Sequence, residues 1–252
     1  MKDKNPNKNL TDFGFEEISI LEKTHRIEAL FNRIAGSYDL MNDVMSGGLH
    51  RLWKDIFVRT INPTLPEKIL DLAGGTGDIA FRISNKTQQE MKIHICDLSL
   101  SMLKKGRCRA LDQGLFKNIF WTNGSAELLP FPAQSFDKVT ISFGLRNVSS
   151  RREALSEIYR VLKSNGTFFC LEFSKPIFTP FRKLYECYSF SLIPKMGALI
   201  AKDRDAYQYL VESIKQFPSQ EILLTEMKNV GFSSCDYDNL SGGIAAIHWG
   251  CK

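Results

Sequence analysis

An apolar run that opens into a glycine-rich loop stands out in the first half of the chain, where residues 68–78 read Lys-Ile-Leu-Asp-Leu-Ala-Gly-Gly-Thr-Gly-Asp. A strand, a loop of this kind and a helix are typical of α/β folds, because glycines let a ligand approach the backbone where the helix begins. Such a helix N-terminus usually attracts anions. Here two carboxylates, Asp71 and Asp78, flank the loop and disfavour an anionic ligand.

Two kinds of cofactor fit this loop by pattern. Residues 75–80 match the dinucleotide pattern G-x-G-x-x-G/A, and Asp97 follows Gly77 by twenty residues, the spacing of a ribose-binding acid. A pyrophosphate would be repelled by Asp78, whereas S-adenosylmethionine has no phosphate and carries a sulfonium and an ammonium group. The acids therefore favour S-adenosylmethionine over a nicotinamide cofactor.

Composition excludes several functional classes. The 252 residues carry a formal charge of +5 without a block of basic residues, so nucleic acid is not an expected partner. The six cysteines form no C-x-x-C pair and the four histidines have no ligand spacing, so no metal site is expected. No secretory signal and no run of ~20 apolar residues is visible, which predicts a soluble, cytoplasmic protein.

The chain from residue 67 onward alternates between strand and helix patterns. This alternation predicts a mostly parallel, seven-stranded sheet with helices on both faces, in the Rossmann-like α/β class. Two closing strands around a Ser-Gly-Gly turn predict an antiparallel C-terminal hairpin at the sheet edge. The predicted strands lie near 68–72, 93–98, 118–123, 136–143, 166–173, 232–240 and 243–249, and the helices near 78–85, 99–113, 126–129, 151–163 and 220–230.

The flanking segments predict a single domain over 21–252 with two additions. Residues 1–20 are polar and are expected to be loose and flexible, while helix-spaced apolar residues predict N-terminal helices within 22–60. The aromatic, proline-interrupted stretch 174–215 is predicted to be a helical insertion that covers the substrate.

Candidate ligand-binding residues follow the predicted strands, because ligands in open α/β sheets bind at the carboxyl ends of the strands. Asp97 is expected to bind ribose hydroxyls, or alternatively to cap the helix that begins near Ser99. Arg146 and Asn147 lie where chemistry would occur, although both are also compatible with a solvated loop. The candidate cofactor-binding residues are Asp71, Gly75, Thr76, Gly77, Asp97, Ser125, Ala126 and Ser142.

Longer motifs carry a resemblance to a known family. They are residues 38–43 (Tyr-Asp-Leu-Met-Asn-Asp), 46–54 (Ser-Gly-Gly-Leu-His-Arg-Leu-Trp-Lys), 71–78, 141–148 (Ile-Ser-Phe-Gly-Leu-Arg-Asn-Val) and 171–176 (Leu-Glu-Phe-Ser-Lys-Pro). Over residues 24–252 the chain resembles the ubiquinone and menaquinone biosynthesis C-methyltransferases, which are class I S-adenosylmethionine enzymes.

The resemblance implies methyl transfer to a ring carbon of a polyprenyl quinol. It implies cofactor contacts at Thr76, Asp97, Ser125 with Ala126, and Ser142, and it places proton abstraction at Arg146, assisted by Asn147 and Asp78. A guanidinium is a poor base, so Arg146 is expected to activate a water or to stabilise a phenolate. A bilayer-dissolved tail further predicts peripheral association with the inner face of the membrane. A homodimer or a quinone-biosynthesis complex also fits.

Three alternatives stay open at this point. The chain fits a methyltransferase of another small molecule, or a non-catalytic cofactor-binding scaffold within a quinone-synthesis complex. A nicotinamide dehydrogenase is disfavoured by the flanking acids and by the lack of an obvious catalytic His or Tyr-x-x-x-Lys pair.

Overall fold

A computed structural model describes residues 10–34, 42–43, 46–178 and 203–252. These residues form a seven-stranded sheet. Its strands are β3 (Lys68–Leu72), β4 (Lys92–Asp97), β5 (Ile119–Asn123), β6 (Phe136–Ser142), β7 (Leu162–Phe173), β8 (Ser233–Leu240) and β9 (Ala245–Cys251). Their order across the sheet is β5-β4-β3-β6-β7-β9-β8.

Strand pairing confirms the predicted topology. Neighbouring strands from β5 to β7 pair in parallel, and β9 pairs antiparallel with both β7 and β8. The sequence order reverses direction between β3 and β6, so the loops after these two strands open a crevice at the carboxyl edge of the sheet.

Helices cover both faces of the sheet, as the alternating pattern predicts. The side chains of β3 alternate, with Ile69 in the apolar core of one face and Leu70 and Leu72 in the core of the other. All three are almost fully buried, which is the pattern of a parallel strand between two helical layers. The helices are α1 (Ile20–Ile34), α2 (Leu49–Ile61), α3 (Asp78–Lys86), α4 (Leu100–Asp112), α5 (Arg151–Val161), α6 (Arg204–Gln216) and α7 (Gln220–Val230).

The N-terminal segment differs from the expectation of a loose stretch over residues 1–20. Strands β1 (Leu10–Phe13) and β2 (Glu16–Ser19) form an antiparallel hairpin. Phe13 stacks on Tyr209 of α6 with ring centroids 4.3 Å apart, and Thr11 Oγ1 donates to the carbonyl oxygen of Ser149 at 2.9 Å. Partners more than 130 residues away therefore order this segment.

Two further predictions meet the structure differently. The helix predicted at 126–129 is wrong, because an isolated bridge between Ser125 and Leu128 closes a turn there instead. Of the insertion predicted at 174–215, residues 179–202 lie outside the described residues, and residues from Arg204 onward form α6.

Candidate active site

A cavity lies at the carboxyl ends of β3, β4 and β6, beside the loop that follows β5. Side chains of α1 and Lys54 of α2 close its other side. Among the predicted site residues, those that line the cavity are Asp71, Gly75, Thr76, Asp78, Asp97, Ser125, Ala126, Ser142 and Asn147. Residues that the sequence places far apart thus meet at one crevice, as strand-end reasoning predicts.

The glycines of the loop between β3 and α3 occupy positions where a side chain would clash or strain the backbone. A Cβ atom on Gly74 would lie 2.8 Å from Asp71 Oδ2 and 2.9 Å from Ile95 Cγ2. Gly75 and Gly77 have φ angles of +54° and +84°, which side chains rarely adopt. Gly77 is not a lining residue, and it supplies the turn into α3. The loop therefore presents its backbone to the cavity.

Asp97 braces this loop from the end of β4. Its Oδ2 accepts the Gly75 N–H and its Oδ1 accepts the Ser99 N–H, both at 2.8 Å. Burial raises the pKa of the Asp97 carboxyl to about 6, although both hydrogen bonds act in the opposite direction. Ser99 itself caps α4 by accepting the Met102 N–H, so the cap is not Asp97. The carboxylate stays on the cavity wall, as a ribose-binding acid requires.

Asp71 is a buried carboxyl with one unused oxygen. Thr140 Oγ1 donates to Asp71 Oδ1 at 2.9 Å, while Oδ2 has no hydrogen-bond partner in the described part of the chain. Burial raises the pKa of Asp71 to about 7, the Thr140 hydroxyl and the Ala80 backbone act in the opposite direction, and the nearby charges of Asp78 and Asp97 add smaller upward contributions. A cationic ligand would satisfy the free oxygen and favour ionisation.

Asp78, the other flanking acid, is held by two cations. Its Oδ2 lies 2.7 Å from Lys54 Nζ, and its Oδ1 lies 3.1 Å from Arg82 Nε. Burial raises the pKa of Asp78, but Lys54 and Arg82 outweigh burial and hold the pKa below its ordinary value. Asp78 is therefore a carboxylate at neutral pH.

The charge balance of the cavity wall fits a cationic ligand. Five acids, Glu28, Asp71, Asp78, Asp97 and Glu127, line the cavity. Lys54 is the only lysine or arginine among the described lining residues. Together with the unpartnered oxygen of Asp71 and the glycines of the loop, this charge balance fits the sulfonium, ammonium and adenosine groups of S-adenosylmethionine.

Glu127 joins the loops that follow β5 and β6, a role the sequence analysis missed. Its carboxylate accepts a short hydrogen bond from Ser125 Oγ and the N–H of Ser149 at 2.6 Å. Glu127 lies two residues after Ser125 in a segment predicted to be helical, so nothing in its local sequence indicates this contact.

The loop after β6 places the candidate catalytic residues in different surroundings. Asn147 lines the cavity, and its Oδ1 accepts the hydroxyl of Tyr209 at 3.1 Å. Ser142 also lines it, with a buried hydroxyl that has no partner in the described ranges. Arg146 is not a lining residue. Its Nη1 pairs with Glu172 Oε1 at 2.7 Å, and both side chains are almost fully buried.

Fold and site together define a class I S-adenosylmethionine-dependent methyltransferase. The sequence profile of the ubiE/COQ5 methyltransferase family matches residues 20–252. The chain belongs to this family.

Curated relatives match nearly the whole chain. A protein of Coxiella burnetii (strain RSA 331 / Henzerling II), named ubiquinone/menaquinone biosynthesis C-methyltransferase UbiE, is 48% identical over 242 residues, which cover 96% of this chain and 97% of the relative. The mitochondrial 2-methoxy-6-polyprenyl-1,4-benzoquinol methylase of Arabidopsis thaliana is 46% identical over 259 residues, which cover 96% and 90%.

Solved structures share the fold at low identity. A methyltransferase of Thermotoga maritima, described as a possible histamine N-methyltransferase, matches with a TM-score of 0.61 and 20% identity over 89% of this chain and 99% of its own. Phosphoethanolamine N-methyltransferase 2 of Haemonchus contortus, solved with S-adenosylmethionine, matches with a TM-score of 0.60 and 14% identity over 79% and 52%. These likenesses support the fold alone.

A search of the described residues for membrane-crossing segments finds no helix that is both long and apolar enough to span a bilayer.

Proposed function

We propose that this chain transfers a methyl group from S-adenosylmethionine to a ring carbon of a polyprenylated quinol, either 2-methoxy-6-polyprenyl-1,4-benzoquinol or demethylmenaquinol. The observation that carries the proposal is the 46–48% identity, over almost the full chain, to relatives named for benzoquinol methylation and for ubiquinone/menaquinone C-methylation. A cavity rich in acids supports the cationic methyl donor on independent physical grounds.

The donor-binding residues are assigned from the cavity wall. Asp71 offers a free carboxylate oxygen to the donor's ammonium group, and Asp97 faces the ribose while it holds Gly75. Ser125, Ala126 and Ser142 border the remaining wall, where a small polar group next to apolar atoms suits an adenine ring or the sulfur end. Thr76 is fixed by Arg109, whose Nη1 donates to its hydroxyl at 2.8 Å.

S-adenosylmethionine supplies an electrophilic methyl group when it is bound. Asn147 is placed to orient a phenolic oxygen of the acceptor, because Tyr209 donates to its carbonyl oxygen while the described residues offer no acceptor to its NH₂ group. Asp78 holds Lys54 at the cavity wall by an ion pair of 2.7 Å. Alignment and electrostatic stabilisation of this kind are what a methyl transfer without a metal requires.

Arg146 supports this site by position. Its Nη1 also donates to the Phe143 carbonyl oxygen at 2.5 Å, and its own N–H donates to Glu172 Oε2 at 3.2 Å. A guanidinium is a poor proton acceptor, and this one is already paired with a carboxylate. We therefore assign Arg146 to hold the segment that carries Asn147 and to supply positive potential for a phenolate.

Product analysis tests the acceptor. Purified protein is incubated with S-adenosylmethionine and reduced 2-methoxy-6-polyprenyl-1,4-benzoquinol, demethylmenaquinol or a phenolic amine, and products are read by mass spectrometry with ring-carbon assignment by NMR. C-methylated quinol supports the proposal. Transfer only to the phenolic amine would identify a methyltransferase of another small molecule. Donor binding without transfer to any acceptor would indicate a scaffold.

Peripheral membrane association is a further part of the proposal. Phe15, Leu21 and Leu128 are exposed by 57%, 75% and 77%. Phe15 belongs to the hairpin, whereas Leu21 and Leu128 belong to α1 and to the loop after β5, two segments that line the cavity. Exposed apolar side chains on such segments suit a substrate with a bilayer-dissolved tail. Flotation with anionic liposomes should carry the protein upward, and Leu21→Asp with Leu128→Asp should reduce the floated fraction. An unchanged fraction would contradict this part.

Self-association and assembly with other quinone-biosynthesis proteins are also proposed. Light scattering of the purified protein measures the first, and co-purification from the host measures the second. A monomer that brings down no quinone-biosynthesis protein would oppose both.

A further inference from the structure

Helix α2 carries a lysine on its apolar face. The buried residues of this helix recur at helical spacing and are His50, Trp53, Lys54, Phe57, Val58 and Ile61. Lys54 is only 4% exposed. Burying an ammonium group without compensation costs several kcal/mol, on the order of the charge-burial penalties found in proteins. A lysine at this position therefore needs charged partners.

The lysine reaches one of these partners at the start of α3. Lys54 Nζ lies 2.7 Å from Asp78 Oδ2, directly after the glycine loop. Asp78 does not depend on this contact alone, because Arg82 pairs with its other oxygen at 3.1 Å. An ammonium group has three donors, and the described residues provide one hydrogen-bond partner, which leaves donors for a ligand in the cavity.

The cavity wall gives this lysine a specific task. Five of the described lining residues are acids, and Lys54 is the only lysine or arginine among the described lining residues. The methyl donor has one anionic group, the carboxylate of its methionine end. That carboxylate would be repelled by most of the wall, and a charge-assisted contact with a buried ammonium is the strongest compensation available.

We propose that Lys54 binds the carboxylate of the methionine end of S-adenosylmethionine and that Asp78 positions its ammonium group for this contact. The inference rests on the donor and is independent of which quinol accepts the methyl group. In this arrangement the two opposite charges of Asp71 and Lys54 lie at the two ends of the glycine loop. Lys54 selects donors that carry a carboxylate, and Asp71 at the other end of the loop receives the donor's ammonium group.

Calorimetry with a matched pair of ligands tests the proposal without turnover. S-adenosylmethionine and decarboxylated S-adenosylmethionine differ only in the carboxylate. We expect the wild-type protein to bind the former on the order of ten-fold or more tightly than the latter, the strength of a charge-assisted hydrogen bond. Lys54→Met should remove this preference, and Lys54→Arg should keep most of it.

Lys23→Met provides a matched control. Lys23 is 5% exposed and donates to the Val148 carbonyl oxygen at 2.9 Å, but it does not line the cavity. This variant should keep the ratio of the two affinities. Asp78→Asn should lower the ratio without abolishing it, because Lys54 keeps its charge but loses the carboxylate that positions it. Thermal unfolding checks that Lys54→Met is folded. If it is not, Lys54→Gln takes its place.

Three results would overturn the proposal. The first is a wild-type protein that binds S-adenosylmethionine and its decarboxylated form equally well. The second is a Lys54→Met or Lys54→Gln protein that keeps the wild-type affinity ratio. The third is a substitution of Lys54 that weakens the binding of both ligands by the same factor. If the protein does not methylate quinols but keeps its preference for S-adenosylmethionine over the decarboxylated form, the proposed acceptor is contradicted and the proposed role of Lys54 stands.

Discussion

The loops that follow β3 and β6 lie side by side at the edge of the sheet, yet they use their polar groups differently. The loop after β3 leaves Asp71 Oδ2 unpartnered within the described chain and turns its backbone toward the cavity. The loop after β6 places its strongest charge, Arg146, in a buried pair with Glu172. The first loop is arranged to meet a ligand. The second is arranged to hold its own shape and to present Asn147.

This contrast shows that a charged residue near an active site has two distinct uses. A buried carboxyl with a free oxygen and a raised pKa gains from a cationic ligand. A buried ion pair such as that of Arg146 with Glu172 gains less from a ligand and mainly fixes the backbone around it, although Arg146 Nε has no hydrogen-bond partner among the described residues. Four predictions separate these uses.

Removal of Glu172 should have the largest effect. Glu172→Ala leaves Arg146 buried and unpaired, which should lower the free energy of unfolding by about 3–5 kcal/mol. Glu226→Ala removes the partner of Arg151 in a half-exposed pair and should cost about 0–1 kcal/mol. Chemical denaturation of both variants measures the difference. Similar losses would show that the Arg146 pair is not the anchor of its loop.

Adding a methyl group to either loop tests their packing. A Cβ atom on Gly144 would lie 2.6 Å from Ala73 Cβ, so Gly144→Ala should cost about 1–3 kcal/mol of stability. Because Ala73 has a φ of +51°, adding Ala73→Gly should restore most of this loss. Gly74→Ala instead crowds Asp71 Oδ2 and should chiefly weaken S-adenosylmethionine binding, as measured by calorimetry. A double variant no more stable than Gly144→Ala would contradict the packing argument.

Donor binding should depend on pH through Asp71. Its pKa of about 7 in the ligand-free folded protein exceeds its unfolded value of about 4. The unfolded chain therefore loses the Asp71 proton at lower pH than the folded protein does, and the free energy of unfolding falls as pH rises from about 4 to about 7. A cationic donor favours the ionised form. Affinity should therefore rise with pH, by up to about ten-fold per unit between pH 5 and 7, with release of a proton.

Calorimetry in two buffers of different ionisation enthalpy measures the released proton. Asp71→Asn should bind the donor more weakly and with a flatter pH dependence over the same range. Since Asp97 also titrates near pH 6, Asp97→Asn serves as the comparison variant. A wild-type affinity that is constant from pH 5 to 8 would argue against an ionised Asp71 in the complex.

The smallest effect is expected at the support of Asn147. Tyr209→Phe removes one hydrogen bond of 3.1 Å to Asn147 Oδ1, worth about 0.5–1.5 kcal/mol, so kcat should fall by roughly 2- to 12-fold. Donor affinity should stay at the wild-type value. Phe13→Leu, which alters the ring that stacks on Tyr209 without touching the hydrogen bond, is the control. An unchanged kcat in Tyr209→Phe would show that the orientation of Asn147 by Tyr209 does not contribute to catalysis.

Sequence reasoning succeeded where the signal was local. The glycine loop, its two acids and Asp97 are recognisable because strand, loop and helix follow one another within a few residues. The alternating pattern likewise predicted the parallel part of the sheet, because burial on both faces leaves continuous apolar strands, and the Ser-Gly-Gly turn predicted its antiparallel edge.

The missed features depend on contacts between distant segments. The pairing of Arg146 with Glu172 and the tie from Glu127 to Ser149 join different loops and strands, so neither follows from spacing. Lys54 did leave a trace, a charged residue on an apolar helix face. The N-terminal hairpin left almost none, because its order comes from packing against Tyr209 and Ser149.

The carboxylate of Glu127 has a mechanical consequence. It fastens Ser125 to the backbone of Ser149, and Thr11 holds the carbonyl of the same serine from the hairpin. Lifting any one of these three segments pulls on the other two. Because Ser125, Glu127 and Ser149 line the cavity, a bound molecule that leaves past these two loops would require both to open together, and loss of the Glu127 carboxylate would speed its departure.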